Sequence, residues 1–210
     1  MASGEVEPEW LPWARRLQFI AQNGLTFAQD EYDIERYRAV RDIAGEMLSR
    51  LEGVPLDAVT TQLAAERGYA TPKLDVRAFV IDSDRLLLVR ERSDGLWTLP
   101  GGWIEVGESP SEAAARETAE ESGYRVRPER LLALYDRRRH DHPPMISHVY
   151  KVFVDCEIEG RGPRLENETD AVDFFPLDRL PPLSAERVTA SQLARLAEIH
   201  ADPEWPADFD

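Results

Sequence analysis

Apolar positions follow two different spacings along the chain, and the change falls at Gly68-Tyr69-Ala70-Thr71-Pro72. Upstream the spacing is helical. Trp10, Trp13, Leu17 and Ile20 predict a helix over 9–22, with Asn23-Gly24 as its stop. Asp30 is placed to cap a longer helix over 31–51, whose stripe is Ile34, Tyr37, Val40, Ala44, Met47, Leu48 and Leu51. Pro55 stands near the start of a third helix, with Leu56, Val59 and Leu63 inward and Gly68 beyond its end. The aromatic residues Trp10, Trp13, Phe19, Phe27, Tyr32 and Tyr37 are expected to serve mainly as core.

Downstream the pattern turns to strands. Leu74–Ile81 and Leu86–Glu91 flank Asp82-Ser83-Asp84 and read as a hairpin. A short strand at Leu96–Leu99 ends at Pro100. Leu131–Arg137, Ile146–Ile158 and Val172–Pro176 are further strands, with His148 and Cys156 as structural residues inside one of them. Helices are predicted over 110–122 and over Ser184–Ala201, and the tail Pro203–Asp210 reads as loosely ordered. The predicted organisation is a small all-helical domain over 1–70 and an α+β domain over 71–210, a sheet with helices packed on it.

The formal net charge of −15 narrows the range of partners. Residues 1–70 carry twelve acidic residues against seven arginines, so a helical unit of this kind repels phosphate backbones and DNA is not an expected partner. No apolar run is long enough to cross a bilayer, and the acidic start lacks the pattern of a secretory signal. Cys156 is the single cysteine, which fits a reducing cytoplasm.

The segment 102–124, GWIEVGESPSEAAARETAEESGY, carries the chemistry. Ser109, Pro110 and Glu112 form a capping box with proline at the first helical position, and Gly123 is a natural stop. At about 100° per residue, Glu117, Glu120 and Glu121 share one face with Ala113 and Ala114. Ala115, Thr118, Ala119 and Ser122 make a second, small face suited to close packing on a sheet. Arg116 stands where it can orient Glu120 and Glu112. Glutamates at these spacings repel one another by roughly 0.2–0.5 kcal/mol per pair. A divalent cation such as Mg²⁺ or Mn²⁺ would offset that; a solvated acidic face is the alternative.

The flanks add to this. Gly102, Glu108, Arg116-Glu117, Glu120-Glu121, Gly123 and the apolar Tyr124 stand at the spacing of the Nudix signature, preceded by Pro100-Gly101. Every fixed residue of that signature is present; Thr118 replaces its usual aliphatic residue. The chain therefore resembles a Nudix hydrolase. Ile20-Ala21-Gln22-Asn23-Gly24-Leu25 and Tyr32-Asp33-Ile34-Glu35-Arg36-Tyr37 resemble the helical leader of a subgroup that cleaves nucleoside diphosphates linked to another moiety, including CDP-choline and ADP-ribose.

The resemblance implies an α/β/α sandwich with a mixed sheet and a homodimer. It implies Mg²⁺, for which Mn²⁺ substitutes, held by Glu117, Glu120 and Glu121 with the Gly101 carbonyl. Arg116 would hold the glutamates, and Glu108 would orient the helix. The base varies among such enzymes. Glu168, just before the Val172 strand, is the first candidate and Glu120 the second; an ordinary loop glutamate is the alternative for Glu168. A small nucleotide-derived substrate would meet Arg77, Arg92, Arg138, His140 and Trp103. Arg90 reads as a surface ion pair, and Trp97 and Trp103 are either packing or stacking residues. The run Arg137-Arg138-Arg139-His140-Asp141-His142 is either a steering patch or a solvated loop. A housekeeping nucleoside triphosphate hydrolase, an RNA-end hydrolase and a non-catalytic ligand sensor remain as alternative activities.

Overall fold

The computed structural model describes residues 7–51, 54–165 and 167–210. They form two compact units. One is helical, residues 7–72 with Pro144–His148; the other comprises Lys73–Pro143 and Val149–Asp210. Of the acidic start, Glu5 lies outside the described residues, as do Glu52 and Glu166.

In the helical unit α1 spans Leu11–Phe27, α2 Glu31–Leu48 and α3 Leu56–Ala65. Asp30 caps α2 as expected, its carboxylate accepting from the N–H groups of Tyr32 and Asp33. The core is Leu11, Ala14, Leu48, Val59 and Leu63, with Trp10, Met47, Leu51, Val54 and Ile146 against it. Three expectations fail here. Trp13, Phe27 and Tyr32 are 61%, 67% and 70% exposed, so they are not core, and Ile20 and Leu56 also face outward. Asn23-Gly24 does not stop α1, which runs on to Phe27.

Gly24 serves a different purpose. A Cβ there would lie 2.4 Å from the Tyr37 ring of α2, so the glycine marks a close approach of the two helices. Asn23 is occupied too, its Oδ1 accepting from the N–H of Ala70. Gly24→Ala is expected to destabilise the helical unit by about 1–3 kcal/mol through overpacking. Helix propensity alone would make the same change stabilising. A denaturant midpoint that rises in this variant would contradict the close-approach reading.

The second unit contains β1 (Lys73–Phe79), β2 (Ile81–Asp82), β3 (Arg85–Glu91), β4 (Trp97–Thr98), α4 (Pro110–Ser122), β5 (Tyr124–Asp136), β6 (Val149–Arg161), β7 (Thr169–Pro176), α5 (Ala190–Ala201) and β8 (Asp208–Phe209). One sheet has the order β1-β6-β5-β8, mixed because β1 runs parallel to β6 and β8 parallel to β5, while β5 and β6 are antiparallel. The other has the order β2-β3-β4, with β7 antiparallel on β3. The hairpin is narrower than expected: β2 pairs with β3, while β1 belongs to the other sheet. Ser83 and Asp84 make its turn with positive φ.

Alternation along the strands sends side chains to two cores. Phe79, Leu86, Leu88 and Phe153 pack with Leu193, Leu196 and Ile199 of α5. Val76, Ala78, Leu87, Val152 and Val154 pack with Ala113 and Ala114 of α4. Helices thus cover both sides, giving the expected α/β/α sandwich. Cys156 is buried in β6, its thiol pushed up to about 12 by burial, whereas His148 lies just before that strand. The tail is ordered, contrary to expectation. β8 pairs with β5, the Tyr135 hydroxyl donates to Asp208, and Arg130 donates to the carbonyls of Ile199, Asp202, Pro203 and Trp205.

Candidate active site

Local signals set α4 where the sequence places it. Ser109 and Glu112 close a reciprocal capping box, Pro110 is the first helical residue, and Gly123 ends the helix at φ 75°. The buried arc is Ala113, Ala114, Thr118, Glu121 and Ser122. The acidic and packing faces therefore overlap instead of standing apart. Glu121 falls on the buried side at 6% exposure, while the Glu117 and Glu120 side chains are 14% and 41% exposed.

The glycine turn runs along β1. Val76 N–H donates to the Gly102 carbonyl, Ala78 N–H to that of Pro100, and Ile104 N–H to that of Leu74. Gly101 has φ 145°, and a Cβ on it would lie 2.0 Å from the Val76 carbonyl oxygen. A Cβ on Gly102 would lie 2.7 Å from Glu117 Oε1. Only glycine lets this backbone come so close to both the strand and the helix glutamates. The Gly101 N–H donates to Glu121 Oε2 at 2.9 Å.

Arg116 gathers the carboxylates. Its Nε and Nη2 donate to Glu108 at 2.6 and 2.9 Å, and Nη1 reaches Glu117 at 3.0 Å and Glu120 at 3.1 Å. Glu112 is instead bound to Ser109, so the expected Arg116–Glu112 pairing is replaced by Arg116–Glu108. Burial pushes Glu121 up to about 8, against the opposing pull of Arg77 and the Gly101 N–H. Burial also raises Glu117, against Arg116. Among the described residues no three His, Cys, Asp or Glu side chains converge as a metal cage. Glu117 and Glu120 turn to Arg116, and Glu121 turns to Gly101. The donor set itself, carboxylate oxygens against a backbone turn, fits a hard divalent cation, and a buried carboxylate short of positive charge gains most from one.

Arg77 is corrected from substrate contact to internal brace. It is buried, donates Nε and Nη2 to Asp75 at 3.0 and 2.7 Å, and donates Nη1 to the Leu99 carbonyl at 3.2 Å. Lys151 donates to the same Asp75 at 2.7 Å. Burial works against the charge on Asp75, yet Arg77 and Lys151 outweigh it and hold the carboxyl well below its usual range. This brace fixes the residue that leads into the glycine turn.

Glu168 is exposed just before β7. Its carbonyl accepts from Arg92 N–H at 2.9 Å, and the Thr169 hydroxyl donates to the Glu121 carbonyl at 3.0 Å. The residue that follows Glu168 is therefore tied to the Glu121 backbone. Arg92 is exposed on the same edge, Arg90 pairs with Asp170 at 2.7 Å, and Trp103 is 49% exposed beside Gly102. Trp97 packs edge-on against Phe175 and is a packing residue.

The basic run is put to other use. Arg138 pairs with Asp136 at 2.6 Å, and His140 meets Asp210 at 3.2 Å and lies over the Tyr135 ring. Arg137 donates to the Pro143 carbonyl. Arg138 and His140 thus hold a short 3₁₀ turn and the tail, and neither is brought to the glutamates. His142 Nδ1 donates to the Ala185 carbonyl at 2.6 Å, and burial pushes its pKa from 6.5 down to about 3. The unfolded chain binds that proton first, so stability falls as pH drops from 6.5 toward 3. His142→Gln is expected to flatten this fall by up to about 1.4 kcal/mol per pH unit. Denaturation at a series of pH values checks it; parallel curves for the two proteins would contradict it.

Sequence reading missed Glu91 and Arg187. Glu91 is buried at the end of β3, and its charge acts on both Glu121 and Arg77. Strict alternation from Leu87 and Val89 would have placed it on the α4 side.

A capped glutamate helix seated against a double-glycine turn has the donor set for metal-assisted hydrolysis of a phosphate anhydride. A NUDIX domain model matches residues 71–196, and a second model, described as a UDP-X-like, N-terminal oligomerisation domain, matches residues 8–63. A Bacillus subtilis protein provisionally named an ADP-ribose pyrophosphatase is 44% identical over 98% of this chain and 99% of its own. The crystal structure of a UDP-X diphosphatase aligns with a TM-score of 0.63 at 32% identity, covering 96% of this chain and 98% of that one. The crystal structure of an ADP-ribose pyrophosphatase from Streptococcus suis aligns with a TM-score of 0.62 at 41% identity, over 67% of this chain and all of that one. The chain belongs to the Nudix family, and it is a pyrophosphohydrolase. No helix among the described residues is long and apolar enough to cross a membrane.

Proposed function

We propose that the chain cleaves the pyrophosphate of a nucleoside diphosphate linked to a second moiety, releasing a nucleoside monophosphate and the phosphorylated moiety. ADP-ribose is the first substrate and CDP-choline the second. The observation that carries the reading is the buried Glu121 held against the Gly101 N–H, with Glu117 and Glu120 beside it on the same helix. The full-length likeness to the provisionally named Bacillus ADP-ribose pyrophosphatase supports the order of substrates.

Glu117, Glu120, Glu121 and the Gly101 carbonyl would hold Mg²⁺, with Mn²⁺ as substitute. Bound there, the ion neutralises pyrophosphate charge and acidifies water. The chain's own residues do the rest. Glu168 accepts the proton of the attacking water as its oxygen bonds to phosphorus and the anhydride oxygen departs with the other phosphate. Glu120 is the second candidate base. Arg116 keeps the carboxylates in place without touching substrate. Arg92 offers charge and Trp103 an aromatic face to the nucleotide. The helical unit makes the protein a homodimer, and the cytoplasm is its compartment.

Comparing kcat/KM for ADP-ribose, CDP-choline, UDP-linked sugars and nucleoside triphosphates tests the reading. A clear preference for one linked diphosphate supports it. Hydrolysis of triphosphates alone would replace it with a housekeeping role, and tight nucleotide binding without cleavage would replace it with a sensor.

A further inference from the structure

Arg187, in the segment between β7 and α5, has every guanidinium nitrogen engaged. Its Nε pairs with buried Glu91 at 3.0 Å. Nη1 reaches Asp94 at 3.2 Å and the Ser184 hydroxyl at 3.0 Å, and Nη2 donates to the Ser93 hydroxyl at 3.1 Å. Ser184 reinforces the knot, its hydroxyl donating to Asp94 at 2.7 Å and its N–H to the Trp97 carbonyl at 2.8 Å. One side chain thus ties the end of β3 and the β3–β4 turn to the segment before α5.

That knot lies beside Glu168. Glu91 pairs in register with Thr169, and the β3–β7 ladder slips between Arg90 and Glu91. A slip of this kind re-aims the residues around it. The Arg92 N–H on the knotted turn holds the Glu168 carbonyl, and Thr169 holds that of Glu121. We propose that Arg187 is a positioning residue for the hydrolysis, clamping Glu91 and the β3–β4 turn so that Glu168 keeps its place relative to Glu121. The inference rests on the reading of the site as a linked-diphosphate hydrolase with Glu168 as base.

A misplacement of about 1 Å costs up to about 100-fold in rate, so Arg187→Gln is expected to lower kcat roughly 10- to 100-fold. KM and the Mn²⁺ dissociation constant, the latter read by calorimetry, should stay within about 3-fold, since the metal-facing glutamates are anchored separately. Arg187→Lys, which keeps the charge but lacks the fork, should fall between. Added to Glu168→Gln, Arg187→Gln should slow the reaction little further, because both act on one step. An unchanged kcat in Arg187→Gln overturns the inference, as does a loss that multiplies in full on the Glu168→Gln background or one that tracks only a fall in Tm. A wild type that cleaves no linked diphosphate instead overturns the underlying reading.

Discussion

Glu121→Gln is expected to abolish useful turnover, lowering kcat by roughly 10³-fold or more, while leaving the fold intact. The magnitude follows from chemistry that a metal-held pyrophosphate needs. Charge stabilisation by the ion amounts to several kcal/mol, and each 1.36 kcal/mol is about tenfold in rate. The fold survives because the amide is nearly isosteric and its oxygen still accepts from the Gly101 N–H, the bond the carboxylate makes now. It also removes a charge whose burial already drives its pKa up to about 8. Steady-state kinetics with Mg²⁺, thermal unfolding and Mn²⁺ calorimetry read the three parts separately. Turnover within tenfold of wild type would show that Glu121 is a helix-packing residue only.

Glu168→Gln carries the second large effect, a roughly 10²- to 10⁴-fold loss of kcat, the usual range for a general base. Its side chain is exposed just before β7, so little stability is at stake. Mn²⁺ affinity should stay close to wild type, which separates this variant from Glu121→Gln. The same loss in Glu120→Gln with an unaffected Glu168→Gln would move the base onto the helix.

These two glutamates differ in how readily the sequence shows them. The α4 span is legible to the residue because its determinants are local: Ser109, Pro110 and Glu112 at one end and Gly123 at the other. Glu121 is then placed by helical periodicity. What periodicity does not show is that Glu121 points into the packing face, since that depends on where the sheet lies. The same limit explains Gly24. As a local signal it stops a helix, but its use is to admit the Tyr37 ring of a second helix. Arg77 looked available to substrate because its partner Asp75 is buried with it and Lys151 arrives from a distant strand. The hairpin was half right for the same reason: the turn at Ser83-Asp84 is local, whereas the pairing of β1 with β6 joins residues far apart in the chain. The order of the tail depends on Arg130 and Tyr135, both remote from it in sequence. Arg187 has no local motif at all, and only the folded chain brings it to Glu91.

The most direct test of the account is ³¹P NMR of the products formed from ADP-ribose with Mg²⁺, run in parallel on wild type and Glu121→Gln. Two phosphomonoester signals, those of AMP and ribose 5-phosphate, are expected from the wild type, and an unchanged pyrophosphate pair from the variant. Release of inorganic phosphate, or equal cleavage by both proteins, would contradict it.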